Sequence, residues 1–318
     1  MVAAANPPAP GVYTPSPTFF KKDGKTGREE VDIETQVKHT IFLADNGIKG
    51  VVLLGSTGEM IHMTRKERID FVAGVKKGLQ EKGYGSYPVL AGVAHNGVED
   101  SIEECKAMKD AGAEYAMVLA PNYFAGATSQ EGIVSWFNAV ADESPLPVII
   151  YYFPGVSNNL RITPKTFEKL AAHPNIVGTK LSYGNVSEFA QIALNPAVQQ
   201  SGFSTMTGLG QILVPAMTVG ITGTIDAVSG ALPKTLVKLY ELGAAGKIKE
   251  AQKLQYTVAR IADIIGQYGP VGTKHLITKV LGYGNPSGRA PLNVDLTTAQ
   301  AGEYEDAINA GVALEKTL

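Results

Sequence analysis

Residues 148–181 read VIIYYFPGVSNNLRITPKTFEKLAAHPNIVGTKL, and this stretch contains the unit from which the fold is argued. It begins with Val148–Phe153, a run that is apolar at both odd and even positions and closed by Pro154. That is the pattern of a strand buried on both faces. It ends with a second such run, Ile176–Leu181. Between them, Thr163-Pro164 puts a capping hydroxyl ahead of a proline at the first helical position, which predicts a helix. Strand, helix and strand make one parallel crossover unit.

The alternation extends in both directions. Val51–Leu54, Val89–Val93, Tyr115–Ala120, Phe203–Thr207 and Ile221–Ala227 are similar runs, and Val12–Phe20 is a weaker first member. Helix starts recur between them: Thr64-Arg65-Lys66-Glu67 and Thr128-Ser129-Gln130-Glu131 both fit a capping box, in which hydroxyl and carboxylate satisfy orphan amides reciprocally. Eight strand–helix repeats predict closure into a (β/α)8 (TIM) barrel, with an open doubly wound sheet as the competing arrangement. The length of 318 residues suits one such barrel. Lys247–Gly266, Val271–Leu281 and Thr297–Leu314 read as further helices. The chain therefore divides into a loose Ala/Pro-rich arm over 1–10, a barrel over 11–245 and a C-terminal helical extension over 246–318.

Composition narrows the function. With 44% hydrophobic and 18% charged residues the chain can bury a large core. A net charge of −2 without a basic stripe argues against a nucleic-acid partner. The single cysteine, Cys105, excludes an intramolecular disulfide, fits a reducing compartment and has no evident histidine partner. His39, His62, His95, His173 and His275 show neither H-x-H nor H-E-x-x-H spacing, so no metal is expected. No apolar run approaches the roughly 20 residues that span a bilayer. The first twenty residues lack Lys and Arg, and Lys316-Thr317-Leu318 matches a peroxisomal signal poorly, so the cytosol is the expected compartment.

In such a barrel the reactive groups stand at the C-terminal ends of the strands. The sixth run ends in Lys180, a costly residue to bury unpaired. If it faces the barrel interior, beside its period-2 companions Gly178 and Ile176, desolvation favours the neutral amine that attacks a ketone. Otherwise it reaches out to solvent from the strand end. After the second run, Gly55-Ser56-Thr57-Gly58-Glu59 offers amides and hydroxyls to an anionic group such as a carboxylate. It has neither Walker A nor G-x-G-x-x-G spacing, so no nucleotide cofactor is expected. Tyr151 and Tyr152 have opposite parity, so one faces inward as a plausible proton carrier and the other faces the helices. Tyr123 lies in the loop after the fourth run.

Taken in order, these segments resemble the family of dihydrodipicolinate synthase and N-acetylneuraminate lyase. The family's Gly-Ser/Thr-Thr-Gly-Glu loop is matched by Gly55–Glu59, and its L-T-x-x-E-R helix opening by Met63–Arg68. Its Y-x-x-P is Tyr151–Pro154, its G-x-K is Gly178–Lys180, and its G-R-x-P is Gly288–Pro291. The resemblance implies a metal-independent class I aldolase acting on pyruvate. It makes Lys180 the Schiff-base lysine, Tyr151 the proton carrier, Thr57 a further catalytic residue, and Ser56 and Thr57 the carboxylate holders. Gly208 and Ile225 would line the pyruvate pocket. Tyr123 would complete the proton relay, lent across an interface of a homo-oligomer, a dimer or tetramer. One position departs: where dihydrodipicolinate synthases place an arginine two residues after the Y-x-x-P proline, this chain has Val156. Without that clamp a carboxylated aldehyde is disfavoured, and Ser157, Asn158 and Asn159 suit a hydroxylated one; Arg161 is not assumed to substitute. The stretches Pro121–Glu131 and Tyr151–Asn159 most resemble fungal 2-keto-3-deoxy-L-galactonate aldolases, which cleave L-threo-3-deoxy-hexulosonate to pyruvate and L-glyceraldehyde in galacturonate breakdown. 4-Hydroxy-2-oxoglutarate aldolase, dihydrodipicolinate synthase and a non-catalytic pyruvate-binding relative are the alternatives.

Overall fold

The structure, a computed structural model, describes residues 5–22 and 29–318. Eight strands form its centre: β1 (Gly11–Pro15), β2 (Val51–Leu53), β3 (Val89–Val93), β4 (Tyr115–Leu119), β5 (Val148–Tyr152), β6 (Ile176–Leu181), β7 (Ser204–Thr207) and β8 (Gly223–Ile225). Each pairs in parallel with the next, and β1 pairs with β8 to close the barrel. The expected (β/α)8 barrel with C-terminal helices is the architecture observed.

Why these runs become strands is visible in their burial. Every residue of the eight strands is buried except Tyr115, so both faces need apolar cover. One set of side chains, including Tyr13, Val52, Leu90, Met117, Ile149 and Met206, fills the barrel interior. The opposite set packs against the helices, where Phe71, Phe137, Phe167 and Phe189 come from α2 (Arg65–Glu81), α4 (Gln130–Glu143), α5 (Pro164–Ala171) and α6 (Val186–Ala193). Each of these rings is fully buried, so truncation to alanine leaves a cavity worth about 3–5 kcal/mol.

The helix signals hold unevenly. Thr64 and Glu67 form the full capping box at the start of α2, and Thr163 caps α5 with Pro164 at its first position. The box expected at Thr128–Glu131 is not formed. A short turn over Ala125–Ala127 draws the Thr128 hydroxyl to the Phe124 carbonyl at 2.8 Å, and Ser129 caps α4 instead, accepting from the Gly132 amide at 3.0 Å. The first strand is also shorter than read from the sequence. It stops at Pro15, and Phe20–Lys22 turns away to pair with Glu29–Val31 in a separate two-stranded ribbon. Proline cannot donate to a ladder, and Pro15 and Pro17 together break the run.

Of the N-terminal arm, residues 1–4 lie outside the described residues. Ala5 donates its amide to the Pro174 carbonyl at 3.1 Å, just before β6, which places it at the N-terminal mouth of the barrel. At the other end of the chain, the two helices expected over 247–266 and 271–281 are both present, joined end to end in α10 (Ile248–Leu281) and separated by a kink where Gly269 leaves helical geometry at φ 53° before Pro270. The helix expected over Thr297–Leu314 is interrupted, with helical segments at Thr298–Gly302 and Glu305–Glu315. No helix among the described residues is long and apolar enough to cross a membrane.

Candidate active site

A cleft of about 760 Å³ opens at the C-terminal ends of the strands. Ser56, Thr57, Tyr151, Lys180, Gly208 and Ile225 all line it, so six of the seven expected site residues converge. Tyr123 does not join them. It is 74% exposed, its ring 4.9 Å edge-on to Phe124.

Lys180 reaches the interior by a route that simple alternation did not give. The register between β5 and β6 shifts at Val148/Ile149, pairing Val148 with Ile176 but Ile149 with Gly178. Val177 is the extra residue of this bulge and packs in the barrel interior, while Ile176 packs with the helices. The expectation that Ile176 and Lys180 share a face is therefore corrected: a bulge re-aims the end of the strand. Tyr151 pairs with Lys180 across the sheet, and the lysine Nζ lies 4.3 Å from the centre of the tyrosine ring. Tyr151 is the inward tyrosine. Tyr152 faces outward, against Phe167 and Tyr183.

Two lysines are buried in this region, and their surroundings differ. Lys274 is fully enclosed, paired with the equally enclosed Glu59 and bonded to the Ser287 carbonyl at 3.2 Å. Burial lowers the Lys274 pKa, and Glu59 opposes that shift. Lys180 is 4% exposed, and among the described residues no carboxylate lies within 4.0 Å of its ammonium. Of the two, Lys180 is the one that lines the cleft.

The loop Gly55–Glu59 is held at both ends by unusual backbone. Leu54 and Glu59 take left-handed φ values of 61° and 53°. A side chain at Gly92 would begin 2.0 Å from the Leu54 carbonyl oxygen, so only glycine allows β3 to approach this turn. Thr18 donates to the Gly58 carbonyl at 2.7 Å. Glu59 accepts the Arg289 amide at 3.1 Å besides its bond from Lys274, pinning the loop to the C-terminal segment. The Ser56 hydroxyl is then 3.3 Å from the Tyr151 hydroxyl. These contacts join sequence positions up to 230 apart, and the chain pattern gave no sign of them.

The opposite wall is also partly unforeseen. Any side chain at Gly208 would meet Ser182 Oγ at 2.0 Å and the Lys180 stem at 3.1 Å, so this glycine leaves the lysine its space. Ala262, Ile265 and Gly266 of α10 close the cleft from the C-terminal extension. Val156 stands at the mouth. The polar residues after it do not line the cleft: Ser157 is buried, Asn158 donates to the Asn122 carbonyl at 2.9 Å, and Arg161 pairs with Glu188 at 3.1 Å. Asn158 and Asn159 both take positive φ, a conformation that asparagine tolerates better than most residues, so they serve the turn's shape. Beyond Ser56, Thr57, Tyr151 and Lys180, the cleft is lined instead by the polar side chains of Glu59, His62, Asn96, Asn122, Ser182, Gln211 and Asp226. Cys105 lies buried elsewhere on α3 (Val98–Asp110), and burial pushes its thiol up to about 11, away from the reactive thiolate form. No cluster of three or more metal-ligating side chains is found among the described residues.

A model of the dihydrodipicolinate synthetase family matches residues 9–310. The chain belongs to that family. It is an enzyme of the class I aldolase type, as the order of motifs along the sequence implied. Curated relatives cover it almost end to end. A protein of Emericella nidulans described as "Probable 4-hydroxy-2-oxoglutarate aldolase, mitochondrial" is 35% identical over 317 residues, 99% of each chain. An L-threo-3-deoxy-hexylosonate aldolase of Hypocrea jecorina is 34% identical over 313 residues, 97% of this chain and 98% of its own. Among solved structures, a dihydrodipicolinate synthase family protein from Coccidioides immitis superposes with a TM-score of 0.84 at 29% identity, covering 99% of both chains.

Proposed function

We propose that this family member cleaves a 2-keto-3-deoxy sugar acid, L-threo-3-deoxy-hexulosonate, to pyruvate and L-glyceraldehyde, a step of galacturonate breakdown. In this mechanism the Lys180 amine adds to the C2 ketone and water leaves, giving a protonated imine. Tyr151 takes the proton of the C4 hydroxyl, with Ser56 beside it as the next carrier. The C3–C4 bond then breaks and its electrons flow into the imine, forming an enamine and releasing the aldehyde. Protonation at C3 and hydrolysis free pyruvate and restore the lysine. Throughout, the amides and hydroxyls of Ser56 and Thr57 hold the carboxylate. Gly208 and Ile225 bound the space around the reacting carbons.

The observation that carries the substrate class is the wall of the cleft. Among its described lining residues, Lys180 and His62 alone can bear positive charge, and Val156 stands at the mouth. An aldehyde with its own carboxylate finds no guanidinium clamp there. In the condensation direction, pyruvate should therefore couple to glyceraldehyde at least about tenfold faster than to glyoxylate or aspartate semialdehyde. Robust product with aspartate semialdehyde and none with glyceraldehyde, measured by chromatography of the keto acids, overturns the assignment and leaves the fold intact.

Tyr123 enters this reading through a second copy of the chain. It is exposed beside Phe124, and Ile61 at the same end of the barrel is 76% exposed. Large apolar side chains left this exposed suit an interface. A dimer or tetramer that covers these residues would bring Tyr123 to a neighbour's cleft and extend the relay from Tyr151.

A further inference from the structure

We propose that Asp226 is a specificity-determining residue, whose carboxylate admits a substrate tail bearing hydroxyls and rejects one bearing a second carboxylate. This rests on the aldolase reading above and refines its substrate class.

Asp226 directly follows β8, is 4% exposed and lines the same cleft as Lys180. Its Oδ2 accepts the Gly210 amide at 2.8 Å and its Oδ1 accepts the Val228 amide at 3.0 Å. These bonds cap the turn Ala227–Gly230 and tie together the loops that follow β7 and β8. With the Ser229 amide close by as a third donor, three amides face two oxygens that together offer about four acceptor positions, which leaves room for one more donor. Among the described residues no cation lies within 4.0 Å of it, so no ion pair neutralises its charge. A buried carboxylate of this kind accepts readily from a hydroxyl and repels an anion more strongly than it would in water. In the mechanism proposed above, the substrate's first carboxylate is taken by the loop at Ser56 and Thr57, which follows β2, two strands round the barrel from β8. A second one would have to share the remaining space with Asp226.

Burial raises the Asp226 carboxyl to about 6, opposed by the Gly210, Val228 and Ser229 amides and by Lys180. Its negative charge is therefore present at neutral pH and lost on moderate acidification. Of the elements around it, β6 contributes Lys180, β1 contributes the uncharged Pro15, the loop after β7 contributes Gln211, and α10 contributes Ala262 and Ile265. Glu59, His62 and Tyr151 are the other titratable groups of the cleft.

The test compares kcat/KM for the six-carbon 2-keto-3-deoxy acid and for 4-hydroxy-2-oxoglutarate, a dicarboxylate, from about pH 8 down to about pH 5. In a ratio, the fraction of folded enzyme and the chemistry shared by both substrates cancel. The wild type should favour the six-carbon acid at pH 8, and the preference should shrink about tenfold as Asp226 protonates. Asp226→Asn should show the smaller ratio at every pH, and His62→Gln should keep the wild-type trend. A ratio in the wild type that does not change with pH overturns the proposal, even if Asp226→Asn fails to fold. So does an unchanged ratio in Asp226→Asn, or a pH trend that vanishes with His62→Gln. A wild type that forms an imine with pyruvate but cleaves neither acid refutes the sugar-acid reading as well.

Discussion

Lys180→Arg is expected to lose turnover by on the order of 10⁴-fold or more, because it removes the nucleophile of a covalent mechanism. The substitution keeps a positive charge at the end of β6. A guanidinium nevertheless stays protonated and cannot add to a ketone as a free amine does. Packing should survive, since the Lys180 ammonium has no carboxylate within 4.0 Å among the described residues. No buried anion is left without a partner, in contrast to the Lys274–Glu59 pair, where removal of one member costs about 3–5 kcal/mol. Steady-state assay beside a thermal melt separates the two effects. Near-normal turnover in a folded Lys180→Arg protein would remove Lys180 from the mechanism.

Tyr151→Phe should lower kcat by about 10²–10⁴-fold, the usual contribution of a general acid–base group, while pyruvate binding changes little. The variant is clean because it deletes only the hydroxyl. The ring that lies 4.3 Å from the Lys180 ammonium remains, and in the proposed mechanism the carboxylate is held by the Ser56–Thr57 loop and not by this phenol. Among the described residues the hydroxyl's side-chain hydrogen-bond partner is Ser56 Oγ, at 3.3 Å. Tyr152→Phe serves as the comparison, since its ring packs outward against Phe167 and Tyr183 and its loss should leave kcat within about threefold. A change below about threefold in Tyr151→Phe itself would transfer the proton-carrying role to Tyr152 or Tyr123.

The sequence announced what depends on short-range pattern. Buried strands show as runs such as Val148–Tyr152, and helix starts show as Thr64–Glu67 and Thr163-Pro164. Lys180 stood out because an ammonium at the end of an apolar strand has an energetic reason to be noticed. What depends on register was not legible. The bulge at Val148/Ile149 decides that Lys180 faces inward while Ile176 does not, and no residue there announces it. The Thr128 box failed because a neighbouring turn competed for the same hydroxyl. What depends on distant pairing was hidden altogether. Glu59 finds Lys274 across 215 positions, and the kink at Gly269-Pro270 brings α10 over the cleft. Asp226 belongs to none of the motifs along the chain, and its place beside Lys180 emerges only when the loops after β7 and β8 meet in the fold.

The most direct test of the mechanism is to trap its first covalent intermediate. Enzyme treated with borohydride in the presence of pyruvate should lose activity as the imine is reduced to a stable secondary amine, while borohydride alone should leave it active. Mass spectrometry of the digest should place a single reduced pyruvyl adduct on the peptide carrying Gly178-Thr179-Lys180, with labelling in proportion to lost activity and absent from Lys180→Arg. An adduct on Lys274 or another lysine that tracks inactivation, or wild-type enzyme that turns over its substrate yet forms no adduct, would contradict the assignment of Lys180.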